Sequence, residues 1–192
     1  MNVVHGNFRF TETKIPGVLL VDTKYYGDDR GGFMETWRQD ALDASGVPYR
    51  FVQANQSISS RGVLRGLHLQ KCYPQVKLVR VVLGEVFDVA VDLRPHSPTY
   101  GQWVGVRLSG ENRRQLLIPR GLAHGFQVLS ERAVFAYQCD EYYHPEDEGG
   151  VRFDDPDIGI CWPLPEAPRL SAKDALLPSF QTFSSQLNEE RP

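Results

Sequence analysis

Several features that would assign a function class are missing from this 192-residue chain. Cysteine is scarce, and the three present, Cys72, Cys139 and Cys161, are odd in number, far apart and without a CxxC pair. That pattern argues against a disulfide framework or a thiolate metal site and fits free thiols in a reducing cytosol. A cytoplasmic protein is therefore expected. Charge of one sign is also lacking: the formal net charge is −3 and no block of like charges occurs, so no basic surface for nucleic acid is expected. No apolar run approaches the ~20 residues of a membrane-spanning helix. The stretch Met1–Phe10 has no apolar segment of signal-peptide length, and no membrane association is expected. There is no P-loop, no GxGxxG and no GxSxG elbow, which leaves nucleotide hydrolysis and nicotinamide redox chemistry without support. Repeats and low-complexity linkers are absent too, so a single domain over residues 1–192 is expected.

What is present is an ordinary globular mix, 41% hydrophobic and 23% charged residues, arranged mostly as strand signals. In the run from Val76 to Arg94, Phe87, Val89, Val91 and Leu93 alternate with Asp88, Ala90, Asp92 and Arg94. A period of two predicts a strand with one buried face, and Gly84-Glu85 predicts a turn between paired strands. Trp103–Leu108, Gln115–Ile118, Phe126–Leu129 and Ala133–Cys139 read as further strands, separated by Pro95-His96-Ser97-Pro98, Ser109–Asn112 and Pro119-Arg120-Gly121. Many short strands at close spacing predict an all-β sandwich or barrel. Helix is expected only over Arg38–Ala44 and, more weakly, around Asp174–Leu177. The polar residues from about Ser184 read as a frayed tail.

Two histidine segments carry the chemical signal: Arg65-Gly66-Leu67-His68-Leu69-Gln70 and Pro119-Arg120-Gly121-Leu122-Ala123-His124-Gly125-Phe126. The second resembles the PxGxxH pattern of the cupin superfamily, whose fold is a double-stranded β-helix jelly roll. Metal-binding cupins carry HxH in the first segment; here it reads His68-Leu69-Gln70, which leaves at most two histidines where a stable transition-metal site usually wants three or more ligands. No metal is therefore expected.

A wider set of stretches is more specific. Gly27-Asp28-Asp29-Arg30-Gly31, Phe51–Ser57, Val63–His68, Lys77-Leu78-Val79-Arg80, Asp88–Arg94, Ser97–Gly101, Ile118–Phe126 and Leu170-Ser171-Ala172-Lys173-Asp174 together resemble the dTDP-4-dehydrorhamnose 3,5-epimerases across about Gly17 to Pro178. The resemblance implies a cupin-type barrel with a few short peripheral helices. It also implies a dTDP-4-keto-6-deoxy sugar as substrate, no cofactor, and a homodimer that exchanges N-terminal strand segments.

The reaction so implied inverts the carbons on either side of a ketone. It needs a base, an acid on the opposite side, and a donor for the ketone oxygen. By resemblance His68 is the base, since imidazole accepts and releases protons near neutrality, and Asp174 is its carboxylate. Ser171-x-x-Asp174 is at the same time a helix-start signature. Tyr137 matches the proton-donating tyrosine, and Lys77 is placed to stabilise charge on the ketone oxygen. His124 resembles a substrate-binding histidine near His68 on the facing strand. Either Asp88 or Asp92 is a candidate to support a histidine. Arg65 and Arg30 resemble pyrophosphate contacts. Gln53, Asn55 and Glu35 resemble contacts to base and sugar, Tyr142 or Tyr143 the ring stacked on thymine, and Glu148 and Lys173 further ligand contacts. Strand exchange would place Arg30 and Glu35 in the neighbouring subunit's site.

Two departures stand out. The segment between Gln70 and Lys77 is one residue shorter than is common in the family. Gly32 stands where a bulky aromatic often follows the Arg-Gly pair, with Phe33 a candidate to fill the gap. Three other readings remain open on the sequence: an epimerase inverting one carbon only or acting on another keto sugar, a metal-dependent cupin oxygenase, and a sugar-binding cupin without catalysis.

Overall fold

The computed structural model describes residues 2–189. Its strands are β1 (Asn2–His5), β2 (Phe8–Glu12), β3 (Leu19–Thr23), β4 (Tyr25–Asp28), β5 (Gly31–Met34), β6 (Gln53–Ser60) and β7 (Leu64–Gln70). They continue with β8 (Lys77–Leu83), β9 (Glu85–Asp92), β10 (Trp103–Ser109), β11 (Gln115–Ile118), β12 (Leu122–Val128), β13 (Arg132–Cys139) and β14 (Glu148–Gly150). Among the described residues helix is confined to α1 (Gln39–Ala44), a 3₁₀ turn (Asp174–Leu176) and α2 (Phe180–Glu189).

Seven strands form one sheet in the order β1-β2-β3-β11-β8-β13-β6, and five form a second in the order β10-β9-β12-β7-β14. The hairpin β4-β5 joins neither sheet. The two sheets close on a shared core, with Val79, Val81, Leu116 and Phe135 from the larger and Val86, Ala90, Phe126 and Val128 from the smaller. This double-sheet, antiparallel arrangement is the expected jelly-roll architecture. The outer side of the large sheet is covered through Phe8, Phe10, Val21, Leu78 and Leu117 by Ala41 and Leu42 of α1. The outer side of the small sheet is covered through Leu67, Leu69, Val89 and Val91 by Phe183 of α2.

Two expectations are corrected. The alternation in β9 predicted one buried face, yet both are buried: Val89 and Val91 lie against the outer cluster, while Asp88, Ala90 and Asp92 are also wholly buried. Polar residues on the inner face are affordable there because Asp88 and Asp92 each find hydrogen-bond partners. The residues from about Ser184 continue as helix α2 through Glu189, because Phe183 anchors the helix in the core and Ser184 Oγ meets Phe180 O and Tyr100 Oη at 2.8 and 2.6 Å. The part of that tail beyond 189 lies outside the described residues. The expected turn between β8 and β9 is present: Gly84 has φ +81°, and a Cβ there would sit 2.1 Å from Arg132 O.

Candidate active site

Strand pairing assembles the site. His68 on β7 and His124 on β12 are direct cross-strand partners in the small sheet. Tyr137 on β13 and Lys77 on β8 come from the large sheet, where Cys139 and Lys77 are paired. A cavity of about 240 Å³ lies between them, lined by Arg65, His68, Lys77, His124, Tyr137, Lys173 and Asp174, with Ser57 and Ser171. Its apolar wall is Phe126 and Phe135, stacked at 4.1 Å between ring centres. Seven of the residues singled out in the sequence thus meet in one place.

His68 Nε2 lies 2.5 Å from Asp174 Oδ1. A carboxylate only accepts, so Nε2 carries the hydrogen and the other ring nitrogen is left as proton acceptor. Asp174 is buried. Burial pushes its carboxyl up, but hydrogen bonds from His68 and from Ser171, with the His68 charge, hold it below the usual value. Asp174 N also donates to Ser171 Oγ at 3.0 Å, so the helix-start role and the histidine pairing are both realised. His68 Nδ1 faces Glu148 Oε1 at 3.9 Å. Glu148 in turn accepts from Tyr143 Oη at 2.7 Å and is ion-paired with Lys173. Against the upward push of burial, those two partners keep the Glu148 carboxyl low.

His124 has its own carboxylate: Nε2 is 2.9 Å from Asp88 Oδ2. The pairing left open between Asp88 and Asp92 therefore falls to Asp88. Asp92 instead holds the turn after β9. It accepts from Arg94 N, Nε and Nη2, from Ser97 Oγ and from Thr99 Oγ1. Burial alone would raise its carboxyl, but these donors bring it down to about 2.

Tyr137 is partly buried, and burial followed by the nearby Cys139 and Glu148 raises its phenol above the ordinary value. It therefore keeps its proton at neutral pH. Burial lowers the Lys77 ammonium, with Cys139, Glu148 and Asp88 acting against it. A lysine desolvated beside acidic groups is suited to meet negative charge that develops on a ligand oxygen.

Other expected contacts lie elsewhere. Arg30 sits at the tip of β4-β5, pairs with Asp28 through Nη2 at 2.5 Å, and is exposed. Glu35 accepts from Asn7 Nδ2 at 2.5 Å. Neither lines the cavity of its own chain. Gln53 Nε2 donates to Asn55 Oδ1 at 3.0 Å, and Gln53 Oε1 accepts from Tyr143 N at 3.0 Å, which puts both on the Tyr143 side of the site. Tyr142 is exposed and does not line the cavity. Ser57 was not singled out, although period two along β6 puts it on the face of Gln53 and Asn55. The Phe126–Phe135 wall joins residues distant in sequence and has no local signal.

Both departures have structural counterparts. A Cβ at Gly32 would fall 1.9 Å from Tyr25 Oη, so the Tyr25 ring occupies the space, while Phe33 is 65% exposed and does not fill it. Arg113 packs over the Tyr25 ring at 3.9 Å. The short segment after Gln70 is held by Asp147, which accepts from Cys72 N and Tyr73 N. Among the described residues, no group of three or more His, Cys, Asp or Glu side chains gathers that could hold a metal ion. No helix among them is long and apolar enough to cross a membrane.

Fold and site together define a cupin-type jelly-roll protein with paired histidine–carboxylate groups facing a tyrosine and a lysine across an inter-sheet cavity. The chain belongs to the dTDP-4-dehydrorhamnose 3,5-epimerase family, whose model matches residues 12–182. It is 56% identical to the dTDP-4-dehydrorhamnose 3,5-epimerase of Methanothermobacter thermautotrophicus over 83% of this chain and 86% of the relative. It is also 56% identical to that of Pseudomonas aeruginosa, over 85% and 91%. The solved dTDP-6-deoxy-D-glucose-3,5-epimerase of Legionella pneumophila, in complex with dTDP-4-keto-L-rhamnose, superposes with a TM-score of 0.91 at 50% identity, covering 94% of this chain and 96% of that one.

Proposed function

We propose that this protein is an isomerase that inverts C3 and C5 of dTDP-4-dehydro-6-deoxy-D-glucose, giving dTDP-4-dehydro-L-rhamnose. The observation that carries the reading is the opposition across one cavity of a His68–Asp174 pair on one side and Tyr137 with Lys77 on the other. A proton next to a ketone is weakly acidic. His68 removes it, and Asp174 stabilises the imidazolium that forms. Lys77 meets the charge that builds on the ketone oxygen. Tyr137, protonated at neutral pH, delivers a proton to the opposite face of the enolate, and that change of face is the inversion. Arg65 and Lys173 supply positive charge for the pyrophosphate, and Tyr143, with Gln53, Asn55 and Glu148, borders the nucleotide end.

The working unit in this reading is a cytoplasmic homodimer of single-domain chains. The β4-β5 hairpin reaches the neighbouring subunit's site, so that Arg30 and Glu35 serve the partner; that neither lines the cavity of its own chain, and that the hairpin joins neither sheet, supports this. The test is incubation with dTDP-4-dehydro-6-deoxy-D-glucose in D₂O, following the C3 and C5 protons by NMR. Deuterium at both carbons is expected. Deuterium at one carbon would make it a single-site epimerase, and none at either would remove this substrate.

A further inference from the structure

Gln70 stands on the same strand face as His68, at the position where metal-binding cupins carry a second histidine, yet it does not line the cavity. Its side chain is 3% exposed, and its amide makes three hydrogen bonds to backbone. Nε2 donates to Tyr73 O at 2.6 Å and to Tyr142 O at 3.1 Å, which uses both of its hydrogens. Oε1 accepts from His144 N at 2.8 Å. One buried amide therefore ties the segment after β7 to the segment after β13.

The second segment carries groups at the edge of the site. Tyr143 lies between the two residues that Gln70 holds. Its N–H donates to Gln53, and its hydroxyl donates to Glu148, whose other oxygen faces His68 Nδ1 at 3.9 Å. The main chain of Gln70 is also paired with that of Glu148 across β7 and β14. Tyr73 closes the arrangement by stacking on the His144 ring at 4.2 Å between centres and 17° between planes.

We propose that Gln70 is a positioning residue of the epimerase site. Its amide fixes the Tyr142–His144 segment against residues 71–73 and so sets Tyr143 and Glu148 where the nucleotide end of the substrate is bound. The inference rests on the epimerase reading for the identity of its ligand. His68 is fixed by Asp174 at 2.5 Å, and Asp174, Tyr137 and Lys77 by contacts independent of Gln70, while Glu148 approaches His68 only at 3.9 Å, so binding, far more than turnover, should feel its loss.

The amide geometry gives a specific signature. Gln70→Glu keeps the acceptor for His144 N but loses both donors at neutral pH, and it sets a carboxylate against two carbonyls. Protonation of that carboxyl returns one donor. Gln70→Met has neither donor nor acceptor at any pH. We therefore expect both variants to fold by circular dichroism, with kcat within about threefold of the parent and KM, and Kd for dTDP measured by calorimetry, raised about tenfold or more. In Gln70→Glu alone, the defect in Kd should shrink as pH is lowered from 8 to 5.5. A parent-like Kd and KM in both folded variants would overturn the proposal. So would equal losses in kcat and kcat/KM, or a pH response the same in both. If Gln70→Glu does not fold, Gln70→Met decides the KM-against-kcat split. A parent protein that binds dTDP but turns over no keto sugar would defeat the epimerase reading instead, and the Kd measurements would still test Gln70.

Discussion

His68 and His124 face each other across the β7–β12 pairing, and each is bound to a different buried carboxylate, Asp174 for the first and Asp88 for the second. The two pairs differ in surroundings. The Asp174 carboxyl is also held by Ser171, whose Oγ accepts from Asp174 N, and Asp174 reaches the cavity surface, whereas Asp88 is wholly buried and its Oδ1 has no partner among the described residues. The His68 pair is thus the one we assign to proton removal. His68→Asn should abolish deuterium entry at C3 and C5. Asp174→Asn should lower kcat by about 10²-fold or more, because the histidine loses both its fixed tautomer and the charge that stabilises its protonated form. Retention of parent-like kcat in Asp174→Asn would move the base to His124.

Tyr137 and His68 lie on opposite sheets, so the steps they perform should separate. Tyr137→Phe removes the phenol and leaves the wall almost unchanged in shape. His68 can still take a proton and return one to the same face. The expected outcome is deuterium entry with the parent configuration retained, and a fall in inverted product of about 10²-fold or more. The check is the same NMR experiment, reading isotope and coupling constants together. Full inversion at the parent rate would exclude Tyr137 as the acid.

Much of this site was legible in the sequence because its signals are local. Period two located β9, β10, β11 and β13, and the two histidine segments marked the strands that carry His68 and His124. What the sequence left open was long-range. Alternation showed that Asp88 and Asp92 share a face but not what covers it, so the choice between them needed the fold. One turned out to hold His124 and the other to cap a loop. The residues of α2 from about Ser184 look like a tail in the sequence because they are mostly polar; the anchor of the helix, Phe183, lies in one cluster with Leu67 and Val89, more than ninety residues away in the chain. Gly32 looks like a gap in the sequence because its occupant, Tyr25, comes from the partner strand of the hairpin.

Asp92 gives a stability prediction. Its carboxyl lies at about 2 in the folded protein, below the ordinary value of 3.8. A depressed carboxyl contributes stability that is present in full above its unfolded value and is lost as pH falls through the folded one. For a wholly buried group this difference corresponds to about 2 kcal/mol. Asp92→Asn should therefore lower the Tm at pH 7, and the gap from the parent should narrow as pH falls from about 4 toward 2. Thermal unfolding followed by circular dichroism across that range checks this. A gap that stays constant with pH would mean the loop contacts are neutral in character.

The exposed hairpin supplies the last prediction. Among the described residues Arg30 pairs with Asp28, two residues away, and it does not line the cavity that holds His68. If it serves the neighbouring subunit's site, Arg30→Ala and His68→Asn should complement each other. Each variant alone is defective at every site, the first through KM, by about tenfold, and the second through proton removal. Mixing and reassociating equal amounts makes half of the dimers mixed. In each mixed dimer one site combines an intact His68 with an intact Arg30 from the other chain, while the second site has both defects. Activity at substrate well below KM should recover to roughly a quarter of the parent value above the residual of Arg30→Ala, as expected for a two-fold symmetric dimer. If each chain supplies its own Arg30, every site keeps one defect and mixing gives only the average of the two variants.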